Sequence, residues 1–489
     1  MKRSLALIAS IAGLGVARLF AQVSGPPEPS SPNLAGQPLV NAGPVSATAP
    51  AKNELEARMA RLEAENRRVQ AELAAMRGET AQSPVIGVSP AAMTTVGETQ
   101  PAASDSSAVM LDVQGEVKTL AWHKGDFTVV PYGILWGNTV YSTQRTDPGS
   151  YTLWADSKSL ENGDECIVDG RNTRFGIDVL GPRIPMLGCA QTGGKIEIDF
   201  QGTCDVTDNK GGVLLRHAYV EVKNEDFRLL AGQTWDVISP LNPGMLMYSV
   251  GWEAGNIGYR RAQFRAERYV AISDTQLLTL QGSIDENSCP DAFTGFTSDP
   301  SSWPLLEGRV ALTFGDRTGP DVLPVVFGVS GHIGQTQFDY NTATINLDNQ
   351  RRYTWSLNAD LCVPITHRFG VQGEFFTGQD LSPFLGGIGQ GIDPTTLQAI
   401  HSTGGWGELW YDWTPCCHSH FGYMLDNPDN ADLHTAGERS YNQVFYGNVS
   451  YDLTKQFLVG LEVSSWKTLY VDLAPGDAVR CEFVVKYGF

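Results

Sequence analysis

The chain has 489 residues, with 54 Asp and Glu against 35 Lys and Arg, and a formal net charge of −19. That acidic balance excludes nucleic acid as a partner. No internal stretch approaches the ~20 consecutive apolar residues that a membrane helix needs, which excludes a helical inner-membrane protein.

Lys2 and Arg3 precede an apolar run from Leu5 to Val16, and Ala21 is a fitting cleavage site, so residues 1–21 read as a signal peptide. Residues 22–51, rich in Pro, Ser, Ala and Gly, read as a flexible leader. Residues 52–77 then change period. Leu55, Leu62, Val69 and Met76 recur every seven residues, and Met59, Asn66 and Leu73 follow four after the first three. Taken as d and a positions, they predict a short coiled coil whose core asparagine sets register. The alternative is a lone amphipathic helix. Residues 78–124 read as a second linker, polar and rich in Ser, Ala and Thr.

From residue 125 to residue 489 the pattern is repeated strands, sixteen in all, from about 126–142 to 478–489. Phe175, Ile177 and Val179 alternate with Arg174, Gly176 and Asp178. Tyr353, Trp355, Leu357 and Leu361 alternate with Arg352, Thr354, Ser356 and Asp360. Period two gives each strand one apolar and one polar face. Connections after odd-numbered strands are mostly long: 143–170, 235–258, 285–304, 336–350, 379–402 and 425–437. Those after even-numbered strands are mostly short, as at Asn224 and Leu453–Lys455. Sorting of loop length by strand parity marks the two ends of an all-β, 16-stranded antiparallel transmembrane β-barrel. The even count returns both ends of the barrel to the side of the coil, the periplasm. The 181–192 connection is long yet falls on the short side. The acidic 143–170 segment reads as a solvated outer loop.

On the strands, Arg174, Arg216, Arg261, Arg265, Arg309 and Arg352 belong in the lumen, because facing lipid at mid-depth costs roughly 2–4 kcal/mol per Arg. The phase of Arg216 is ambiguous, since His217 and Glu221 share the opposite one. These arginines either present a basic wall to anions or pair with Glu197, Asp199, Glu267, Glu307 and Asp360. The connection 235–258 carries Leu241, Met245, Leu246, Met247, Tyr248 and Trp252, too apolar for water. It is expected to fold into the barrel and narrow it, with Asp236 and Glu253 facing the arginines. Packing against a neighbouring subunit is the other way to bury it.

Eight cysteines form no dense framework, and Cys166 with Cys204 is the best candidate pair. Cys416-Cys417-His418-Ser419-His420 lacks a second cluster with ligand spacing, so no metal or other cofactor is expected. No Ser-His-acid arrangement points to catalysis. The last strand alternates Cys481, Phe483, Val485, Tyr487 and Phe489 with Arg480, Glu482, Val484, Lys486 and Gly488. Its aromatic face, ending at the terminal Phe489, resembles the assembly signal of bacterial outer-membrane barrels, carried by Phe483, Tyr487 and Phe489.

Residues 212–267 contain GVLLRHAYVEV, LLAGQTWD and GNIGYRRAQFRAE. Arg216-His217-Ala218-Tyr219, Gly232-Gln233-Thr234-Trp235 and the strand around Arg261 and Arg265 make this run resemble the DcaP-like trimeric porins. That resemblance implies a periplasmic coiled coil before a sixteen-stranded barrel, a homotrimer, and passage of small hydrophilic solutes, anions often among them. The competing reading is a structural barrel that ties outer-membrane lipid to the cell wall through its coil.

Overall fold

The computed structural model describes residues 121–160, 163–202, 211–287, 296–299, 303–315, 324–341 and 345–489. The expected signal peptide, leader, heptad helix and almost all of the linker lie outside these residues, as does Cys204 of the expected Cys166–Cys204 pair. Sixteen strands form the wall: β1 Phe127–Ser142, β2 Arg174–Ile184, β3 Ala190–Asp199, β4 Leu214–Lys223, β5 Phe227–Trp235, β6 Arg260–Ser273, β7 Gln276–Asp285, β8 Leu305–Phe314, β9 Val325–Asn341, β10 Asn346–Pro364, β11 Phe369–Gln379, β12 His401–Thr414, β13 Cys417–Pro428, β14 Arg439–Asp452, β15 Phe457–Tyr470 and β16 Gly476–Gly488. Each pairs antiparallel with the next, and β1 pairs with both β2 and β16, which closes the sheet. Closure gives every wall residue two backbone neighbours, the condition for a sheet to cross lipid. The short strand Trp122–Lys124 pairs with the start of β1, so the sheet begins three residues before the expected boundary.

The two faces of each strand separate as the alternation predicts. On β16, Val479, Phe483 and Tyr487 are exposed on the outside, whereas Arg480, Glu482 and Lys486 are buried inside. On β10, Tyr353, Trp355, Leu357 and Leu361 face out, and Thr354, Ser356, Asn358 and Asp360 face in and are buried.

The odd 181–192 connection resolves into strand. A register shift between Leu180 and Arg183 lets β2 run on to Ile184, and only the turn around Pro185–Leu187 remains, closed by Gly188 in the left-handed region. The expected 336–350 loop is likewise mostly strand, because β9 and β10 reach 17 and 19 residues. By contrast β4 and β5 have 10 and 9. Strand length therefore varies around the wall, from 9 residues at β5 to 19 at β10.

The chain terminus is the last rung of the seam. Phe489 N–H donates to the Gly133 carbonyl at 3.0 Å, and Gly133 N–H donates back to the Phe489 carbonyl at 3.1 Å. The Phe489 ring lies so close to Gly133 that a Cβ there would meet it at 2.5 Å. Phe489→Asp keeps the backbone but puts a charge on the lipid side of this seam. The expected outcome is a loss of folded barrel from the outer-membrane fraction, with protein accumulating before insertion; outer-membrane levels equal to the parent would place the assembly signal elsewhere.

Candidate functional site

Residues 236–259 leave β5 and run round the inside of the wall before rejoining at β6. Val237, Ile238, Leu241, Met245, Leu246, Met247, Tyr248 and Trp252 are all buried. Backbone amides taken out of water need acceptors, and the wall supplies carboxylates from strand after strand. Glu307 of β8 accepts from Val237 N–H at 2.6 Å and Ile238 N–H at 3.3 Å. Glu374 of β11 accepts from Leu241 N–H at 2.7 Å, and Glu408 of β12 from Gly244 N–H at 2.7 Å. Glu462 of β15 accepts from Leu246 N–H at 2.7 Å. Tyr248 then donates its hydroxyl to Asp199 of β3 at 2.8 Å. Burial pushes the Tyr248 phenol up to about 12, so it remains a donor there. A buried amide left without an acceptor would cost about 1–3 kcal/mol. The segment is thus held by its main chain around most of the circumference.

Two further connections meet it. The hairpin Thr146–Pro148 with Thr152–Ala155 folds inward rather than into solvent. Arg480 donates to the carbonyls of Gly149 at 2.7 Å and Ser150 at 2.9 Å, and Ser249 donates to the Thr152 carbonyl at 2.8 Å. Two acids of 143–170 are correspondingly engaged: Glu165 accepts from Thr146 N–H and hydroxyl, both at 3.0 Å, and Asp169 pairs with Arg171 at 3.0 Å. This corrects the expectation of a solvated acidic loop for the inward hairpin, whereas residues 158–160 and Asp164 are exposed. From 380–400, Leu381, Phe384 and Ile388 are buried, and the carbonyls of Leu385 and Phe384 accept from Glu253 N–H at 2.9 Å and Gly258 N–H at 2.7 Å. Neither inward fold was expected from sequence. Leu381, Pro383, Phe384 and Ile388 form the same kind of apolar connection as 235–258 and could have been read by the same criterion.

The arginines are mostly paired. Arg216 donates to Glu197 at 2.6 Å and Asp199 at 2.8 Å. Its phase resolves through a bulge: the register shifts between Glu197 and Ile198, which puts Arg216 and His217 both inside. Arg261 donates to Asp236 at 2.7 and 3.1 Å and to the Pro383 carbonyl at 2.9 Å. Arg265 meets Glu267 at 2.7 Å, and Arg309 meets Asp360 at 2.6 and 2.9 Å. Arg174 is half-buried, with its guanidinium 5.5 Å from the Trp136 ring centroid. Arg352 stands apart at the loop end of β10, donating to the Leu397 and Arg351 carbonyls. Asp236 meets the basic wall as expected. Glu253 instead lies beside Gly389, whose Cβ would sit 2.8 Å from its carboxylate. His418 of the CCHSH run has Nδ1 2.5 Å from Asp412 and Nε2 3.5 Å from Asp452 at the turn end of the wall.

Among the described residues, the buried wall cations lie on β4–β6, β8 and β16: Arg216, Arg228, Arg260, Arg261, Arg309, Arg480 and Lys486. The sector β10–β15 holds buried Asp360, Glu374, Glu408, Asp426 and Glu462 without a buried cation. The lumen therefore has a mixed, ion-paired sector facing an acidic one.

No protein-family model matches the chain, and no curated protein matches it. Among solved structures, the outer membrane channel DcaP of Acinetobacter baumannii is similar, with a TM-score of 0.60 and 19% identity over 75% of this chain and 99% of that one. OmpT of Vibrio cholerae gives a TM-score of 0.47 at 10% identity, covering 76% of this chain and 100% of that chain. An anion-selective porin from Comamonas acidovorans gives 0.46 at 12%, covering 74% and 100%. The chain thus has the sixteen-stranded fold of a DcaP-like outer-membrane porin.

Gly244 tests how the loop is held. Its Cα lies against the His420 ring, and an added Cβ would meet that ring at 2.1 Å. Gly244→Val is expected to lift the loop from Glu408 without unfolding the wall. Faster protease cleavage within 240–250 of folded, detergent-purified barrels is the measurement; an unchanged cleavage rate would mean that the loop does not depend on this approach.

Proposed function

We propose that this chain is an outer-membrane porin for passive diffusion of small hydrophilic solutes, anions among them, through a lumen narrowed by residues 235–258. The observation that carries the reading is the seating of that loop, held by its own backbone inside a closed barrel whose polar face is inward. A structural barrel needs closure, but has no need of a loop positioned across the bore by carboxylates from four strands. The protein sorts solutes by width and field, uses no cofactor and catalyses no reaction.

Arg174, Arg216, Arg261, Arg265, Arg309 and Arg352, with Asp236 and Glu253, are the proposed pore and constriction residues. The two charge sectors support a transverse field, which orients a solute with separated charges. Support for anion passage comes from the guanidinium groups of β4–β8. Paired arginines attract anions less than free ones, so the contribution of Arg261 and Arg265 is a matter of measurement. The barrel is proposed to assemble as a homotrimer in bacterial outer-membrane lipid, with residues 52–77 as a periplasmic coiled coil built on Leu55, Met59, Leu62, Asn66, Val69, Leu73 and Met76. Attachment to the cell wall through that coil is the structural alternative.

Stepwise ion conductance in planar bilayers is expected of the purified protein, and a tight barrier would overturn the porin reading. Removing residues 240–252 should raise single-channel conductance, and Arg261→Ala with Arg265→Ala should move the reversal potential toward cations. Unchanged values in both variants would take the loop and these arginines out of the solute path. Mass measurement in mild detergent should return three copies; a monomer would count against both the trimer and the coil.

A further inference from the structure

Among the described residues, Arg260 is a buried guanidinium whose three nitrogens all lack a hydrogen-bond acceptor. Arg260 opens β6 where the loop rejoins the wall, and it is 4% exposed. Its Nε, Nη1 and Nη2 are all buried without a hydrogen-bond partner. A guanidinium carries five N–H donors and accepts nothing, and it stays charged at any physiological pH. Three rings enclose it: Trp235 with its centroid 4.5 Å away, Tyr259 at 4.7 Å and Trp252 at 5.9 Å. Ring faces attract a cation but leave its in-plane N–H groups unsatisfied. One of those rings adds another donor, because the buried Trp252 Nε1–H also lacks a partner.

The acids that pair with Arg216 are engaged there. Glu197 accepts from Arg216 and Tyr132, and Asp199 accepts from Arg216 and Tyr248. Of the polar groups beside the box, His217 has Nδ1 at 3.1 Å from the Thr234 hydroxyl. Arg260 and Trp252 thus bring four buried donor nitrogens without an acceptor to one cluster of rings. A buried charge left in that state is strongly unfavourable, and the complementary ligand is one that only accepts.

We propose that Arg260 and Trp252 hold a resident halide ion, chloride under ordinary conditions, inside the box formed by Trp235, Trp252 and Tyr259. Buried guanidinium nitrogens suit a small anion that can be enclosed without water, and this inference does not rest on the porin reading. Trp235 precedes the loop, Trp252 belongs to it and Tyr259 ends it. An ion shared by these elements would fasten both ends of the constriction to one point.

The test uses the full-length protein purified in detergent. Crystals grown with sodium bromide should show an anomalous peak within hydrogen-bond reach of the Arg260 nitrogens. The unfolding midpoint, followed by heat-modifiable gel migration, should rise with chloride relative to equimolar gluconate, which is too bulky for the box. Arg260→Gln should abolish both effects, and Trp252→Phe, which keeps the ring and removes the N–H, should weaken the chloride effect. Absence of the peak in the parent protein, or a chloride effect undiminished in folded Arg260→Gln, would overturn the site. If Arg260→Gln does not fold, the parent diffraction and Trp252→Phe decide the matter. A conducting barrel without bromide sinks this inference alone, and a bromide site in a barrel that does not conduct sinks the porin reading alone.

Discussion

A peptide segment laid inside a barrel brings its own backbone donors with it, and each must find an acceptor where water is scarce. Here Glu307, Glu374, Glu408 and Glu462 accept from Val237, Leu241, Gly244 and Leu246. This accounts for part of the chain's acidic surplus. These carboxylates are, first of all, construction elements that seat the inward loop. Gly244 belongs to the same design, since only a residue without a side chain can pass the His420 ring at that distance.

The arrangement also separates path from composition. Carboxylates grip amide groups, which every residue except proline possesses. Side chains such as Met245 and Met247 fill space around the grip without creating it. The paired arginines are fastened in a different way. Asp236 sits at the base of the loop and ties Arg261 to it, while Arg216 binds an acid on the neighbouring β3 and Arg309 reaches across β9 to Asp360 on β10. Taking one partner from such a buried pair leaves an uncompensated charge and costs about 3–5 kcal/mol. The mixed sector is thus stiff by electrostatics and the acidic sector by backbone capture.

Much of this was legible in the residues. Alternation along β10 and β16 identified both faces, because a two-residue period leaves no third choice. The apolar content of 235–258 signalled burial. The bulge at Arg216 was not legible: a skipped residue reverses the phase without a mark in the alternation. Neither were the pairings, since Glu197 and Arg216 meet only once cross-strand register exists. The acids of 143–170 concealed its inward fold, because Glu165 and Asp169 look the same in sequence whether they bind water or Thr146 and Arg171. The long β9–β10 hairpin was hidden by polar residues such as Asp348 and Asn349, which resemble a loop when they sit on a strand rising beyond the bilayer.

That hairpin has a consequence for the surroundings. Strands of 17 and 19 residues at β9 and β10 share one perimeter with strands of 10 and 9 at β4 and β5. The extra length carries Asp348, Asn349 and Arg351, which belong in water, so the hairpin projects past the lipid and leaves the bilayer its resting thickness. Because its strands stay paired there, the rim carries a stiff raised lip at this point of its perimeter.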